Sequence, residues 1–89
     1  MISPSERPCL SVVVPCYNEE ATILDLLDRV MASPWVAEII VVDDGSSDRS
    51  RELLGTCTDP RIRVILQPRN QGKGAALRTG FSHATADYV

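Results

Sequence analysis

Residues 38–48 read "EIIVVDDGSSD", and the opening of that stretch decides the fold. Between Glu38 and Asp43 all four residues, 39–42, are apolar and β-branched, with no alternation of polar and apolar residues. A strand written this way is buried on both faces, the habit of parallel sheets covered by helices on each side. "LSVVV" (10–14) reads the same way, while "RIRVILQ" (61–67) alternates in part, as suits a strand nearer a sheet edge. A further run opens at "DYV" (87–89). Helical patterns fill the gaps. Ile23, Leu24, Leu27, Val30 and Met31 share one helix face, with Asn18 as the expected N-cap and Glu19 and Glu20 at the positive end of the dipole. A second helix is expected after Ser46 or Ser47 as cap, with Leu53, Leu54 and Cys57 turned inward. A third is expected from Gly72 to Thr85, presenting Ala76, Leu77, Gly80, Phe81 and Ala84 to the sheet. Gly80 costs such a helix about 1 kcal/mol relative to alanine, so close packing is its expected reason. Strand and helix alternating at this spacing predict parallel pairing through right-handed crossovers.

Composition sets the bounds. A chain of 89 residues makes one domain at most, and at that size it buries only roughly 60 to 65% of the surface exposed when unfolded. Apolar residues at 44% and charged residues at 24% fit a folded α/β domain rather than a disordered one. A formal net charge of −3 gives no basic field for nucleic acid, although Arg61, Arg63, Arg69, Lys73 and Arg78 crowd the second half. Cys9, Cys16 and Cys57 are odd in number and lack C-x-x-C spacing, which suggests neither a disulfide framework nor a zinc knuckle and fits a reducing cytoplasm. The opening residues are too polar for a signal peptide, and no apolar stretch approaches the roughly 18 residues of a membrane span.

In a parallel sheet the loops that follow the strands emerge at one edge, where ligands of open α/β sheets bind. Here those loops are "PCYNE", "DDGSSD" and "PRNQGKG", and they hold most of the unusual polar chemistry. Each has a plain structural account: Pro15 stops the ladder and Tyr17 covers the core, Gly45 supplies a positive φ, and "NQGKG" is a flexible helix entry. Each also has a functional one. Tyr17 can wall a flat ring and Glu19 can accept from a hydroxyl or amide. An acid at the end of the second strand can accept from a ribose hydroxyl or a ring N–H of a base. Gly72 and Gly74 permit close backbone approach, and Lys73 offers a point charge near base or phosphate. The plain account leaves two adjacent acids unexplained, because like charges repel and one carboxylate suffices for capping. Neither common phosphate-binding pattern is present, since Leu77 stands where a third glycine would fall in G-x-G-x-x-G and G-x-x-x-x-G-K-[ST] is absent.

In this order, "LSVVVPCYNEE", "EIIVVDDGSSD" and "NQGKGAALRTGF" resemble the start of a family-two inverting glycosyltransferase of the nucleotide-diphospho-sugar transferase fold, over about residues 9–89. The wording "GKGAALRTGF" is most similar to dolichyl-phosphate mannose and polyprenyl-phosphate glucose synthases. The resemblance implies a three-layer, Rossmann-like α/β half-domain of the GT-A type with a mainly parallel sheet, preceded by a tail over 1–8. It implies that the first two strand loops clasp the nucleotide of a UDP- or GDP-sugar. Pro15, Tyr17 and Glu19 match the family's nucleoside contacts, Val42 and Asp44 its apolar and acidic contacts, with Asp44 the partner of the base, and Lys73 a basic position near the nucleotide. Asp43 is left a structural part. The family's divalent metal, magnesium or manganese, sits on an acidic motif that would fall beyond residue 89, and Asp87, which precedes the fourth strand, is not its ligand. An acceptor hydroxyl or polyprenyl phosphate would take the sugar with inversion. No catalytic residue is expected in this stretch. It reads as the N-terminal nucleotide-binding part of the enzyme, truncated in its fourth strand, inactive alone, and cytoplasmic or at the cytoplasmic face of a membrane.

Two other classes compete. A nucleotidyltransferase of related fold wants a glycine-rich basic loop after the first strand, where "PCYNEE" is acidic. A non-catalytic doubly wound signalling or binding module of the phospho-receiver kind wants its paired acids after the first strand and an aspartate after the third, which here ends in "QPRN". His83 has no acidic or cysteine partner at metal spacing, Trp35 is expected to cover the core, and Cys16 is expected to be filler.

Overall fold

The computed structural model describes residues 9–86, so the tail and the run at 87–89 lie outside the described residues. Six elements follow in the order β1 (Leu10–Cys16), α1 (Ile23–Met31), β2 (Val36–Asp44), α2 (Ser50–Leu54), β3 (Ile62–Gln67) and α3 (Lys73–His83). The strands form one parallel sheet in the order β1-β2-β3. It is an open α/β sheet of the Rossmann-like, GT-A half-domain kind.

The apolar run of β2 behaves as its composition demands. Ile39, Ile40, Val41 and Val42 are all 0% exposed, and alternate residues face different layers. Ile39 and Val41 join Val14, Cys16, Ile23, Leu27 and Leu54 beneath α1 and α2, while Ile40 and Val42 pack against Ala76 of α3. Each such side chain withdrawn from water stabilises the fold by about 1.5–3 kcal/mol before chain entropy is counted. Helices therefore cover both faces of the strand.

On α3 the contact is close. A Cβ at Gly80 would lie 2.2 Å from Val13 Cγ1, which is the close packing expected of a glycine inside a helix. That approach narrows the fully buried face of α3 to Ala76 and Gly80, with Ala84 packed against the same cluster just past the helix end. Phe81, expected to face the sheet, instead lies 52% exposed, a correction that follows from its position about 100° around the helix from Gly80. Arg78 is exposed.

Other boundaries also differ. β1 continues through Pro15 to Cys16, paired in register with Val42 and Asp43, rather than stopping at Val14. Among the described residues β1 has β2 on one side only, and a missing N–H on the open side costs no ladder bond. The N-cap of α1 is Thr22, not Asn18, and that of α2 is Arg49, not a serine of 46–47. The polar residues that seemed to be caps are engaged elsewhere, in the loops.

At the amino edge of the sheet Glu38 ties three segments together. Its Oε1 accepts from Ser11 Oγ at 2.6 Å, from the Thr85 amide at 2.6 Å and from Thr85 Oγ1 at 3.0 Å. The Ala86 amide in turn donates to Ser11 Oγ at 3.1 Å. No helix among the described residues is long and apolar enough to cross a membrane.

Candidate functional site

At the opposite, carboxyl edge the three loops are joined by side chains that reach across to one another. Asn18 holds φ at 52°, a left-handed conformation that asparagine tolerates better than most residues. From there its Oδ1 accepts from the amides of Ser47 at 2.8 Å and Asp48 at 3.3 Å. The second loop returns these bonds: Ser46 Oγ accepts from the Asn18 amide at 2.9 Å, Ser50 Oγ from Glu19 at 2.8 Å and Asp48 Oδ2 from Glu20 at 3.2 Å. Burial works against ionisation of Asp48, yet the hydrogen bonds from Ser50 and from the Glu20 amide outweigh it and hold the carboxyl below its usual range. The "GSSD" segment thus caps the preceding loop's amides more than its own helix.

The adjacent acids of β2 point to different layers, as neighbouring strand residues must. Asp43 is fully buried, bound by Arg51 Nε at 2.6 Å and by the Ser46 amide at 3.1 Å. Arg51 also donates to the Gln67 carbonyl, so Asp43 and Arg51 together tie the end of β2 to α2 and to the end of β3. Asp44 turns the other way. Its Oδ1 accepts from the Gln71 amide at 2.8 Å and its Oδ2 from the Gly72 amide at 2.9 Å, which fixes the third loop against the second. The expected repulsion between the pair is relieved by this division of faces.

Between the loops lies a cleft of ≈ 250 Å³ lined by Pro15, Cys16, Tyr17, Glu19, Asp44, Asn70, Lys73 and Ala76. That volume is just below the usual range for small-molecule pockets, roughly 300–1,000 Å³. Five of the six residues expected to bind substrate therefore meet in one place: Pro15, Tyr17, Glu19, Asp44 and Lys73. Val42, expected to touch the ligand, does not line the cleft; as a β2 residue facing α3 it is fully buried and packs with Ile40 and Ala76. Tyr17 is 45% exposed, so its ring is free to form a wall, whereas Asp44 at 3% exposure is reached only from the cleft. Glu19 accepts from Thr22 Oγ1 at 3.1 Å through one carboxylate oxygen. The Cys16 thiol is fully buried, and burial pushes its pKa up, so it is no nucleophile.

Sequence reading missed Asn70. Its Oδ1 accepts from the Gly72 amide at 3.1 Å, the same N–H that serves Asp44. A loop asparagine two residues before a glycine was the available signal, and it pointed equally to a turn. No group of three His, Cys, Asp or Glu side chains converges as a metal site among the described residues, so a divalent cation finds no complete set of ligands in them.

The sequence that builds this cleft is similar to that of known proteins. The chain is 46% identical over 89 residues to an undecaprenyl-phosphate 4-deoxy-4-formamido-L-arabinose transferase of Pectobacterium carotovorum, the match covering 90% of this chain and 27% of the relative. It is 40% identical over 87 residues to the protein of the same description in Edwardsiella ictaluri, again 90% of this chain and 27% of the relative. The chain thus spans about a quarter of the length of these curated relatives. The family model described as glycosyl transferase family 2 matches residues 11–89, and to that family the chain belongs.

Proposed function

We propose that this chain is the nucleotide-sugar grip of a glycosyltransferase. In this reading the intact enzyme moves a sugar from a UDP- or GDP-sugar to an acceptor, with inversion at the anomeric carbon. The acceptor oxygen forms a bond to that carbon as the bond to the diphosphate oxygen breaks, and the nucleoside diphosphate leaves. Tyr17 stacks on the base, Asp44 accepts from its ring N–H, Glu19 faces the ribose, Lys73 lies near the phosphates, and Pro15 and Val42 support the floor. The observation that carries the reading is the meeting of Tyr17, Asp44 and Lys73, distant along the chain, around one cleft.

Undecaprenyl phosphate, named in the relatives' descriptions, supports a polyprenyl phosphate as the acceptor. In this reading the enzyme works at a membrane, on its cytoplasmic face, and a lipid-linked acceptor in the relatives' names supports the membrane part. A magnesium or manganese ion, when bound, would neutralise the leaving diphosphate; its ligands are not gathered in residues 9–86.

Titration of the full chain with UDP-glucose and with GDP-mannose, followed by calorimetry, tests the proposal. A saturable change with one of them is expected. A folded sample that responds to neither at millimolar concentration contradicts it.

A further inference from the structure

Asn70 stands outside the set of residues that the sequence marks for substrate, yet it shares the cleft with them. Its orientation is fixed by a bond: Oδ1 takes the Gly72 N–H at 3.1 Å, so the oxygen is turned to the backbone and the Nδ2 amino group is turned away from it. Among the described residues no acceptor takes that amino group, and Asn70 is exposed. The same Gly72 N–H donates to Asp44 Oδ2 at 2.9 Å. Two side chains that share one donor are neighbours, and so a free N–H donor stands beside a carboxylate acceptor on the cleft wall. Each Asp44 oxygen has one amide partner and retains a second lone pair.

We infer that Asn70 determines base specificity: its amino group donates to a carbonyl oxygen of the base while Asp44 accepts from the ring N–H next to that carbonyl. The inference rests on the nucleotide-grip reading and narrows it. Uracil and guanine both carry a ring N–H beside a carbonyl, and both match an acceptor-plus-donor pair. Cytosine and adenine carry an unprotonated ring nitrogen beside an amino group, which places lone pair against carboxylate and N–H against N–H. A mismatch of this kind leaves polar groups unpaired, which discriminates more strongly than a small change of shape. Lys73 and the phosphates supply affinity without regard to base.

Calorimetric titration of the full chain with UDP, GDP, CDP and ADP tests this, using the wild type, Asn70→Ala and Asn70→Asp. Asn70→Asp retains an oxygen for the Gly72 N–H and replaces the donor by an acceptor, so it separates loop support from base reading. The wild type is expected to bind UDP or GDP at least about tenfold more tightly than CDP and ADP, the worth of about one to two hydrogen bonds. Both variants should lose most of that preference, Asn70→Asp by weakening UDP and GDP about tenfold or more relative to CDP and ADP. If UDP or GDP binds and Asn70→Asp keeps the wild-type preference, the role of Asn70 is overturned while the nucleotide grip stands. If no nucleotide binds to the folded wild type, the grip and the inference fall together.

Discussion

Gly45 holds φ at 73°, and a Cβ there would lie 2.4 Å from both the Arg69 carbonyl carbon and the Asn70 nitrogen. Backbone meets backbone at this point, so no rotamer change relieves the clash. Gly45→Ala should therefore cost about 3 kcal/mol by urea unfolding, from left-handed strain and overpacking together, and should weaken nucleotide binding by shifting Asn70 and Lys73; unchanged stability and affinity would contradict the tight apposition of the loops. The residue was legible as a turn glycine, because a positive φ is a local property. Its pressure on residues 69–70 was not legible, since that contact crosses more than twenty positions of chain. Asn18 shows the same division: its residue type announced a cap, but the amides it serves belong to Ser47 and Asp48. Asp44 was picked out as an acceptor for a ligand, and it is also the acceptor for two amides of its own fold.

Among the elements, strand β2 was the most legible, because an apolar run buried on both faces leaves its mark at every position. The inner stripe of α3 was less so, since the Gly80–Val13 contact that turns Phe81 outward depends on a distance no periodicity reports. Glu38 was read only as the start of a strand. In the fold, the hydrogen bond from Ser11 lowers its pKa from 4.5 to about 2; burial opposes this, and the bonds from Thr85 and the charge of Arg63 add to it. A carboxyl depressed in the folded state stabilises above its unfolded pKa, and that contribution is lost as pH falls through the folded value. The native state should thus lose on the order of 2–3 kcal/mol from this group between about pH 4.5 and pH 2. Urea midpoints measured across that window should fall less steeply for Glu38→Gln, which should also be less stable at pH 7. Parallel profiles for the two proteins would show that the clasp between β1, β2 and the end of α3 carries no such linkage.

Across the whole molecule, the two edges of the sheet divide the work. The amino edge is tied by Glu38, Ser11 and Thr85 around a well-paired carboxylate. The carboxyl edge keeps its tyrosine ring, its lysine and the Asn70 amino group open to a cleft. Parallel topology made that edge legible from sequence, because it sends all three loops the same way. What the sequence could not show is that the middle loop knits the other two together, Ser46, Asp48 and Ser50 on one side and Asp44 and Gly45 on the other. The account stands or falls on where a nucleotide goes. Backbone amide shifts of the full chain, followed during titration with UDP and GDP, give the direct answer: saturable shifts should gather at Tyr17, Asp44, Asn70, Gly72 and Lys73 and leave Glu38 and Thr85 still. Shifts centred on Glu38 and Thr85, or none that saturate, would contradict it.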